Sequence, residues 1–429
     1  MKSLPPSRRR FLETAACTSL ALPRWLLMAG QTTDTALQDS DRLLDEVERR
    51  ACLYFFEMAD PRTGLVLDRA EVTDRYRTGP ASIAATGFGL SGLCVADMRS
   101  YLDRSAIKSR VRRTLEFLNL HTQHEHGFFY HFLDSGSGKR IWNCEVSSID
   151  TTWLLCGVLH CRTHWDDPDI RRLASDILDR TDWNWMLNGS STLSHGWLPE
   201  SGFLPYRWDV YAEMLAMYLL AIGAKANGIP ASCWDAWKRP MRDYDGIFYI
   251  DASTPIFVHQ YSHAWFDFRD RVDRYANYFR NSQRATQAHR LYCMRLAPKY
   301  PWYGPDMWGV TASESRSGYR VWGSPQAPPD GTLVPCAAGG SVVFLPTLCV
   351  AVLRNMMGRY GDKVWSRYGF VDAFQPQEQW YCPYVVGINL GIMLLMAENA
   401  RSGAIWQAVM STPEAQHAMD AAGLHPISA

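Results

Sequence analysis

Apolar side chains recur every three or four positions along most of the chain, which is the spacing of one face of an α-helix. This spacing predicts helices over residues 43–56, 80–99, 104–121, 147–163, 173–178, 214–222, 271–296, 340–358 and 386–399. Strand patterns are short and few, at 127–132 and 246–250. The pattern therefore predicts an all-α fold, a toroid of about a dozen helices with a few short β-hairpins in its loops.

No charge run or Ser/Pro-rich linker divides the chain. The pattern predicts a single domain over residues 40–410, preceded by a linker at 31–39 and followed by a frayed, alanine-rich tail at 411–429. Three long connections, 122–146, 187–211 and 297–339, are rich in tryptophan, tyrosine, glycine and proline. Because loops held on a rigid scaffold usually carry the chemistry, these segments are where a functional site is expected.

The first 30 residues predict an export signal rather than part of the fold. Ser7–Leu12 contains Arg8, Arg9 and Arg10 before a modest apolar stretch, as in twin-arginine signals, although Arg24 interrupts that stretch. A disordered basic tail is the alternative. The expected location of the mature chain is the periplasm or the exterior, without membrane insertion once the signal is removed.

Composition points to a neutral partner. The 44 acidic and 44 basic side chains balance, which argues against a nucleic-acid groove or an anionic membrane surface. The 17 tryptophans exceed ordinary core needs and suit stacking on sugar rings. Eleven cysteines, ten without Cys17, lie mostly in apolar helical runs, so buried free thiols are expected rather than disulfides.

Two carboxylates, Glu145 and Asp150, stand where a loop gives way to an apolar helix. Ser147 and Asp150 fit a capping box, and an acid in the first helical turn is stabilised by the helix dipole, so Asp150 has a structural explanation. Helix geometry does not explain Glu145, which precedes the cap. For Glu145 an active-site acid and a solvated loop residue both stay open.

A second pair of acids is Asp209 and Glu213. Asp209 is a candidate N-cap, and Glu213 is expected one turn into a helix that is apolar almost all round. A carboxylate there is costly unless it is paired or faces a wet cavity, and burial would raise its pKa as a general acid requires. Two carboxylates at the mouths of neighbouring helices are the minimum for glycoside hydrolysis.

The segment 259–270 reads H-Q-Y-S-H-A-W-F-D-F-R-D. His259 and His263 have the spacing of helical metal ligands, but no third ligand is evident, so no metal and no other cofactor is predicted. A polar and aromatic cleft wall is favoured, with ordinary packing as the alternative. Its predicted members are His259, Gln260, Tyr261, Trp265 and Asp267.

Several stretches resemble the glycoamylase-like family, the group that contains bacterial endo-β-1,2-glucanases. They are G-F-F-Y-H-F-L-D (127–134), R-I-W-N-C-E-V-S-S-I-D-T (140–151), D-W-N-W-M-L (182–187), G-W-L-P-E-S-G-F (196–203), W-D-V-Y-A-E (208–213), F-V-H-Q-Y-S-H-A-W-F-D-F-R (257–269), W-G-V-T-A-S-E (308–314) and Y-G-F-V-D-A-F (368–374). They occur in order over nearly the whole mature chain. The resemblance implies an (α/α)6 barrel that hydrolyses β-1,2-linked glucose polymers with inversion.

The resemblance also implies roles for particular residues. Family acids correspond to Glu213, expected as the proton donor, and to Glu145, expected to activate water or hold the sugar, with the reverse assignment open and Asp150 ranked third. The residues expected to contact the sugar are Trp142, Trp208, Asp209, His259, Gln260, Tyr261, Trp265, Asp267, Trp308 and Arg69.

The expected partner is a β-linked glucan or oligosaccharide, bound by a monomer. Within carbohydrate chemistry, an exo-acting, sophorose-releasing enzyme, a transglycosylase and a polysaccharide lyase are the alternatives. The neutral charge balance argues against a lyase, which needs cationic groups for a uronic acid. Outside catalysis, a periplasmic glycan-binding protein would use the aromatic residues without needing Glu213.

Overall fold

The computed structural model describes residues 24–73, 78–323, 325 and 329–427, with side chains from residue 38 onward. The described residues from 43 onward form one compact unit, and the described residues 24–42 belong to another. The fold is mainly helical. The α-helices are α1 (Arg24–Glu57), α2 (Ile83–Met98), α3 (Arg104–Leu120), α4 (Ser148–His164), α5 (Pro168–Asp179), α6 (Trp183–Leu187), α7 (Leu215–Gly223), α8 (Tyr278–Arg295), α9 (Pro335–Gly339), α10 (Pro346–Tyr360), α11 (Gly387–Arg401), α12 (Ala404–Met410) and α13 (Pro413–Ala421).

Short strands lie in the connections between helices. They are β1 (Arg69–Glu71), β2 (Pro80–Ser82), β3 (His124–Glu125), β4 (Phe128–Phe129), β5 (Phe132–Asp134), β6 (Val146–Ser147), β7 (Gly196–Leu198), β8 (Gly202–Phe203), β9 (Met241–Tyr244), β10 (Ile247–Ile250), β11 (Arg271–Val272), β12 (Ala312–Ser313), β13 (Arg320–Val321), β14 (Trp365–Ser366), β15 (Gly369–Phe370), β16 (Phe374–Gln375), β17 (Trp380–Tyr381), β18 (Tyr384–Val386) and β19 (His425–Pro426). The strands named here pair antiparallel, and β6–β7–β8 form a three-stranded sheet.

Two kinds of helix build the core. In α2, α4, α7 and α11 most residues are buried, on all sides of the helix, including the whole of Leu215–Gly223. In contrast, α3 and α5 bury one stripe, which in α5 is Ile170, Leu173, Ala174 and Ile177. A helix that is apolar all round has no face for water, so the first group forms the interior and the second group covers it.

The pair α2 and α4 is packed at backbone contact. A Cβ added to Gly157 would lie 2.1 Å from the carbonyl oxygen of Gly87, and one added to Gly87 would lie 2.2 Å from that of Trp153. No side chain larger than hydrogen fits at either position without separating the helices.

Short strands connect the N-terminal ends of three inner helices to neighbouring loops. β2 leads into α2 and pairs with β5, β6 leads into α4 and pairs with β7, and β18 leads into α11 and pairs with β1. Because each strand immediately precedes its helix, these ladders bring the connections together at one end of the inner helices.

Several predictions about the ends of the chain need correction. The predicted linker 31–39 lies inside α1, and the predicted frayed tail contains α13, whose Ala415, Ala418 and Met419 are buried. Thr412 caps α13, and the apolar stripe of α13 packs on α7. These contacts explain why the alanine-rich segment 413–421 is helical. Most of the predicted export signal, residues 1–23, lies outside the described residues.

The helix predicted at 271–296 begins only at Tyr278, where the Asn277 side chain caps it, and residues 271–272 form β11. The ten cysteines within the described residues are free thiols, and all except Cys144 are buried, in agreement with the prediction. No described helix is both long enough and apolar enough to cross a membrane.

Candidate active site

His131 joins the two carboxylates that introduce α4. Its Nδ1 lies 3.0 Å from Oε1 of Glu145, and its Nε2 lies 3.4 Å from Oδ1 of Asp150. The backbone fixes this arrangement, because the His131 amide donates to the Glu145 carbonyl and the Ile83 amide donates to the His131 carbonyl. One imidazole therefore holds two acids at the mouths of α2 and α4.

The three groups shift one another's pKa values. Burial lowers the pKa of His131, but the carboxylates of Asp150 and Glu145 outweigh it and raise that pKa to about 9. The hydrogen bond from His131 lowers the pKa of Glu145, whereas burial raises the pKa of Asp150. At neutral pH the Glu145 carboxylate is therefore ionised beside an imidazolium.

The predicted cap of α4 is confirmed. Ser147 is the N-cap, and its Oγ accepts a 3.1 Å bond from the Asp150 amide and donates a 2.6 Å bond to the Asp150 carboxylate. Asp150 therefore closes the cap and contacts His131 at the same time. Its carboxylate also benefits from the positive end of the helix dipole.

Glu213 lies immediately before α7, not one turn inside it as predicted, because α7 begins at Leu215. Ser262 holds this position from the facing segment. Its Oγ donates a 2.6 Å bond to the Glu213 carbonyl and accepts a 2.9 Å bond from the Ala216 amide. The backbone that carries Glu213 is thus clamped at the helix entrance.

The Glu213 carboxyl is partly buried, and its surroundings favour the protonated form. Burial raises its pKa to about 7, and the negative charge of Asp150 adds to this. Glu213 and Glu145 therefore stand in opposite environments, one keeping its proton near neutrality and the other losing it easily.

A second acidic group faces the site from the α11 side. Arg69 pairs with Asp68 at 2.8 Å and with Glu314. Asp372 accepts 2.7 Å bonds from the Asn389 side chain and from the Glu314 amide. Burial raises the pKa of Asp372 to about 7.

Tyr261 lies between the two acidic groups. Its hydroxyl is 3.5 Å from Oδ1 of Asn389, and its pKa is raised first by burial and also by the charges of Glu213 and Asp372. Its ring packs edge-on against Phe88 and Trp153 of the inner helices. The predicted participation of Tyr261 and Arg69 is consistent with this placement.

Two predicted tryptophans differ in what they offer a sugar. Trp142 is 66% exposed and touches Phe132 edge-on, so most of its ring is free to stack. Trp208 is buried, stacks on His195 at 4.0 Å and donates its Nε1 hydrogen to Ser148 at 2.9 Å. Trp208 therefore presents at most an edge to the site while it anchors the loop to α4.

Four residues predicted to contact the sugar belong to the interior instead. Gln260, Trp265 and Trp308 have no exposed surface, and His259 is 2% exposed. Gln260 donates to Ser341 and to the Ala337 carbonyl, and Trp265 donates to Ser91. In this arrangement these side chains present little or no surface to a ligand, and their assignment to subsites stays a prediction.

The same motif nevertheless serves the site indirectly. Nδ1 of His259 is 3.0 Å from the Tyr211 hydroxyl, and its Nε2 is 3.7 Å from Asp251. Tyr211 stands two residues before Glu213 in the chain. With the Ser262 clamp, the segment 259–263 forms the support behind Glu213.

Two predicted acids lie away from the centre. Asp209 is exposed at the rim and is not a cap of α7, whose N-cap residue is Met214. Asp267 is held by Arg269, whose guanidinium lies 4.2 Å over the ring of Trp406 in α12. The contact of Asp267 with the sugar stays a prediction.

Sequence reasoning missed several groups that the fold brings to the site: His131, Asp68, Glu314 and Asp372. Three of them stand inside the motifs quoted above, in G-F-F-Y-H-F-L-D, W-G-V-T-A-S-E and Y-G-F-V-D-A-F. An ionisable residue inside an aromatic run was the signal that could have found them.

The arrangement suits proton transfer, since the pKa of Glu213 is raised to about 7 and is influenced by Asp150, while His131 lowers the pKa of Glu145. His131, Glu145 and Asp150 also offer ligand atoms within 4.8 Å of one another, so a cation could bind there. However, the imidazole already neutralises part of the charge of both carboxylates, and a metal would have to displace that pairing.

Comparisons with known proteins confirm the resemblance to the glycoamylase-like family. The model of the family described as "Putative glucoamylase" matches residues 205–413. A curated relative, the exo β-1,2-glucooligosaccharide sophorohydrolase (non-reducing end) of Parabacteroides distasonis, is 26% identical over 416 residues. The match covers 88% of this chain but only 57% of the relative's length.

Solved structures are also similar to this chain. The endo-β-1,2-glucanase of Chitinophaga pinensis, in complex with sophorotriose and glucose, superposes with a TM-score of 0.83 at 27% identity, covering 90% of this chain and 98% of that one. The β-1,2-glucanase of Parabacteroides distasonis gives a TM-score of 0.83 at 25% identity, with 90% of this chain and 60% of that chain covered.

Proposed function

We propose that this chain, similar to the glycoamylase-like family, is a glycoside hydrolase that cleaves β-1,2-glucan to short oligosaccharides by endo action and with inversion. The observation that carries the proposal is the contrast between Glu213 and Glu145. Burial holds the pKa of Glu213 at about 7, while the hydrogen bond from His131 lowers that of Glu145. Glycosidases need this pair, one acid protonated and one ionised.

In the proposed mechanism Glu213 donates its proton to the glycosidic oxygen as the bond to the anomeric carbon breaks. Glu145 removes a proton from the water that attacks that carbon from the opposite face. The His131 imidazolium holds Glu145 ionised and fixes its direction. Because one displacement takes place, the anomeric configuration inverts, and this requires carboxyls about 6.5–9.5 Å apart.

The rest of the site supports a neutral, polyhydroxylated substrate. The exposed ring of Trp142 suits stacking on a pyranose face, and Arg69 with its carboxylate partners suits hydroxyl groups. The β-1,2 linkage comes from the relatives named above. The Chitinophaga pinensis relative is named an endo enzyme and the curated Parabacteroides distasonis relative an exo enzyme, so exo release of sophorose is the second candidate.

We further propose that the helices form an (α/α)6 barrel. The fully buried helices α2, α4, α7 and α11 suit its inner ring, and the one-sided helices α3, α5 and α13 suit its outer ring. Grouping the site residues at the N-terminal ends of inner helices is consistent with a barrel mouth. We also propose twin-arginine export and a monomeric state, on the N-terminal arginines and the neutral charge.

Product analysis tests the activity. The purified chain is incubated with linear β-1,2-glucan beside β-1,3-, β-1,4- and α-glucan controls, and the anomer of the first product is followed by NMR. We expect a ladder of short β-1,2 oligomers that carry the α-anomer initially.

Other outcomes would change the proposal in defined ways. Sophorose as the sole product would establish exo action, and an initial β-anomer would establish retention. Binding of β-1,2-glucan without cleavage, unaffected by Glu213→Gln, would identify a glycan-binding protein and overturn the enzymatic proposal.

A further inference from the structure

A second cluster of reactive side chains lies toward the C-terminal ends of α2 and α4. Cys94 and Asp97 come from α2, and His160, Cys161 and His164 come from α4. His160 stands ten residues beyond Asp150 on α4, about 15 Å along the helix axis from the candidate active site. The cluster is thus separate from the proposed catalytic residues.

Three of these side chains converge. Cys94, His160 and His164 each offer one ligand atom, and the three atoms lie within 4.8 Å of one another. The two histidines are one helical turn apart, so their imidazoles share a face of α4 that is turned toward α2. Atoms bound to one tetrahedral zinc ion at about 2.0–2.3 Å are separated by similar or slightly shorter distances.

The surroundings leave polar atoms without partners. Among the described residues, Nδ1 of His160 and Oδ1 of Asp97 are buried side-chain atoms that make no hydrogen bond. His160 itself is 4% exposed. A buried imidazole nitrogen without a partner is unfavourable unless something binds to it, and this is independent of the convergence of the three residues.

His164 is already oriented as a metal ligand would be. Its Nε2 lies 2.8 Å from Oδ2 of Asp97, which also accepts a 2.8 Å bond from Arg104. Metal-binding histidines commonly donate their second ring N–H to a carboxylate, which fixes the ring and leaves the other nitrogen for the ion. Its side chain is 19% exposed, which gives an ion a route from solvent.

We propose that Cys94, His160 and His164 form a binding site for a divalent transition-metal ion of the zinc class, with Asp97 positioning His164. One thiolate and two neutral imidazoles match the preference of Zn²⁺, and a fourth position stays available for water. Binding expels the proton of the Cys94 thiol to solvent. The ion would tie α2 to α4 at the end remote from the active site.

Cys161 provides the main competing interpretation. Its Sγ lies 3.6 Å from that of Cys94, so an oxidant could close the pair into a disulfide. The unpartnered nitrogen of His160 and the Asp97–His164 pair play no part in a disulfide. The metal site explains them, and for this reason we favour it.

The experiment is a cobalt titration of the full chain, stripped with chelator and kept reduced. We expect about one equivalent of Co²⁺ to bind with a thiolate-to-cobalt charge-transfer absorption, which Zn²⁺ then displaces. Cys94→Ser should abolish that absorption, and Asp97→Asn should weaken affinity about 10–100-fold. Cys156→Ser, at another buried cysteine of α4, and Cys161→Ser should leave it unchanged.

Several results would overturn the proposal. One is the absence of the charge-transfer absorption in the wild-type chain; another is its persistence in Cys94→Ser. Binding without that absorption that is lost in His131→Asn would place the ion at the active site instead. A Cys94–Cys161 disulfide in the unreduced chain, with no cobalt bound after reduction, would make the pair a redox element. If Cys94→Ser does not fold, loss of affinity in His164→Asn, at a part-exposed position, gives the same decision.

Discussion

The two ends of the α2–α4 pair carry similar residue types, but the hydrogen bonding of these residues differs. At the N-terminal end, His131 contacts Glu145 and Asp150, and Ser147 completes the hydrogen bonds of Asp150. At the C-terminal end, His160 and Asp97 each keep a buried atom without a partner among the described residues. Asp97 is also paired with His164 and Arg104, so the two ends differ in these unpartnered atoms and not in charge pairing.

This difference in hydrogen bonding indicates a different role for each cluster. At the N-terminal end, the paired carboxylates are partly exposed, so they can exchange protons with a substrate. The short strands at that end connect to long loops. A buried imidazole nitrogen that lacks a hydrogen-bond partner, as in His160, is suited to binding an ion in place of the missing hydrogen bond. Both clusters lie at the ends of the same helix pair, so substitutions in one cluster can test whether the other is affected.

The largest expected effect is on Glu213. Glu213→Gln removes the transferable proton, and kcat for β-1,2-glucan should fall by about 10²–10⁴-fold while substrate binding persists. The matched control is His164→Asn at the other end, which should keep kcat within a few-fold. Equal losses in the two variants would show that the ends are not independent.

Gly157 lies where α2 and α4 cross, between the two clusters. Gly157→Ala places a methyl group against the Gly87 carbonyl, so the helices must separate, and the free energy of unfolding should fall by about 3 kcal/mol. Chemical denaturation measures the change. Gly358→Ala in α10, where an added Cβ meets nothing, is the control and should be neutral or slightly stabilising.

His131→Asn separates the electrostatic contribution of the first cluster. It removes the cation between two carboxylates and should cost about 1.5–3 kcal/mol of stability near pH 6. Because folding raises the pKa of His131 from 6.5 to about 9, this contribution is complete below pH 6.5 and disappears as pH rises through 9. Denaturation of both proteins from pH 5.5 to pH 10 should show the two stabilities converge; a constant difference would contradict the ion-pair interpretation.

The smallest expected effect is the change in kcat/KM of the wild-type enzyme with each pH unit. Glu213 must be protonated to act, so kcat/KM should fall about tenfold per pH unit above pH 7. In His131→Asn the acidic limb should move to higher pH, because Glu145 loses the hydrogen bond that lowers its pKa. An alkaline limb well above pH 9 would exclude Glu213 as the donor.

Helix prediction succeeded where the apolar pattern was strong. The helices predicted at 104–121, 147–163 and 386–399 agree with α3, α4 and α11 within one or two residues. The start of α8 was missed because Arg271 and Val272 continue the pattern but pair with β19, about 150 residues further along the chain. Pairing at that range cannot be read from local periodicity.

Prediction of the site likewise depended on whether a feature has a local signature in the sequence. The Ser147 cap was found, and Glu145 and Glu213 were selected as candidate acids, because a carboxylate or a cap in an apolar context has a local energetic signature. His259, Gln260, Trp265 and Trp308 were predicted to line the cleft but are buried, since buried polar and aromatic side chains carry the same local signature as cleft residues. His160 and His164 were passed over, since their third ligand, Cys94, lies on another helix.

Local sequence was enough to locate most helices, the segments that are apolar all round, and the positions of caps and of carboxylates in apolar surroundings. Those properties depend on residues within a few positions of one another. Folding placed His131 between Glu145 and Asp150 and brought Cys94 to His160. It also brought Arg69 of β1 to Glu314, and the loop residue Asp372 to Asn389 of α11. These juxtapositions arise from helix packing and short strand ladders between distant segments, so the chemistry of each group depends on neighbours that only folding supplies.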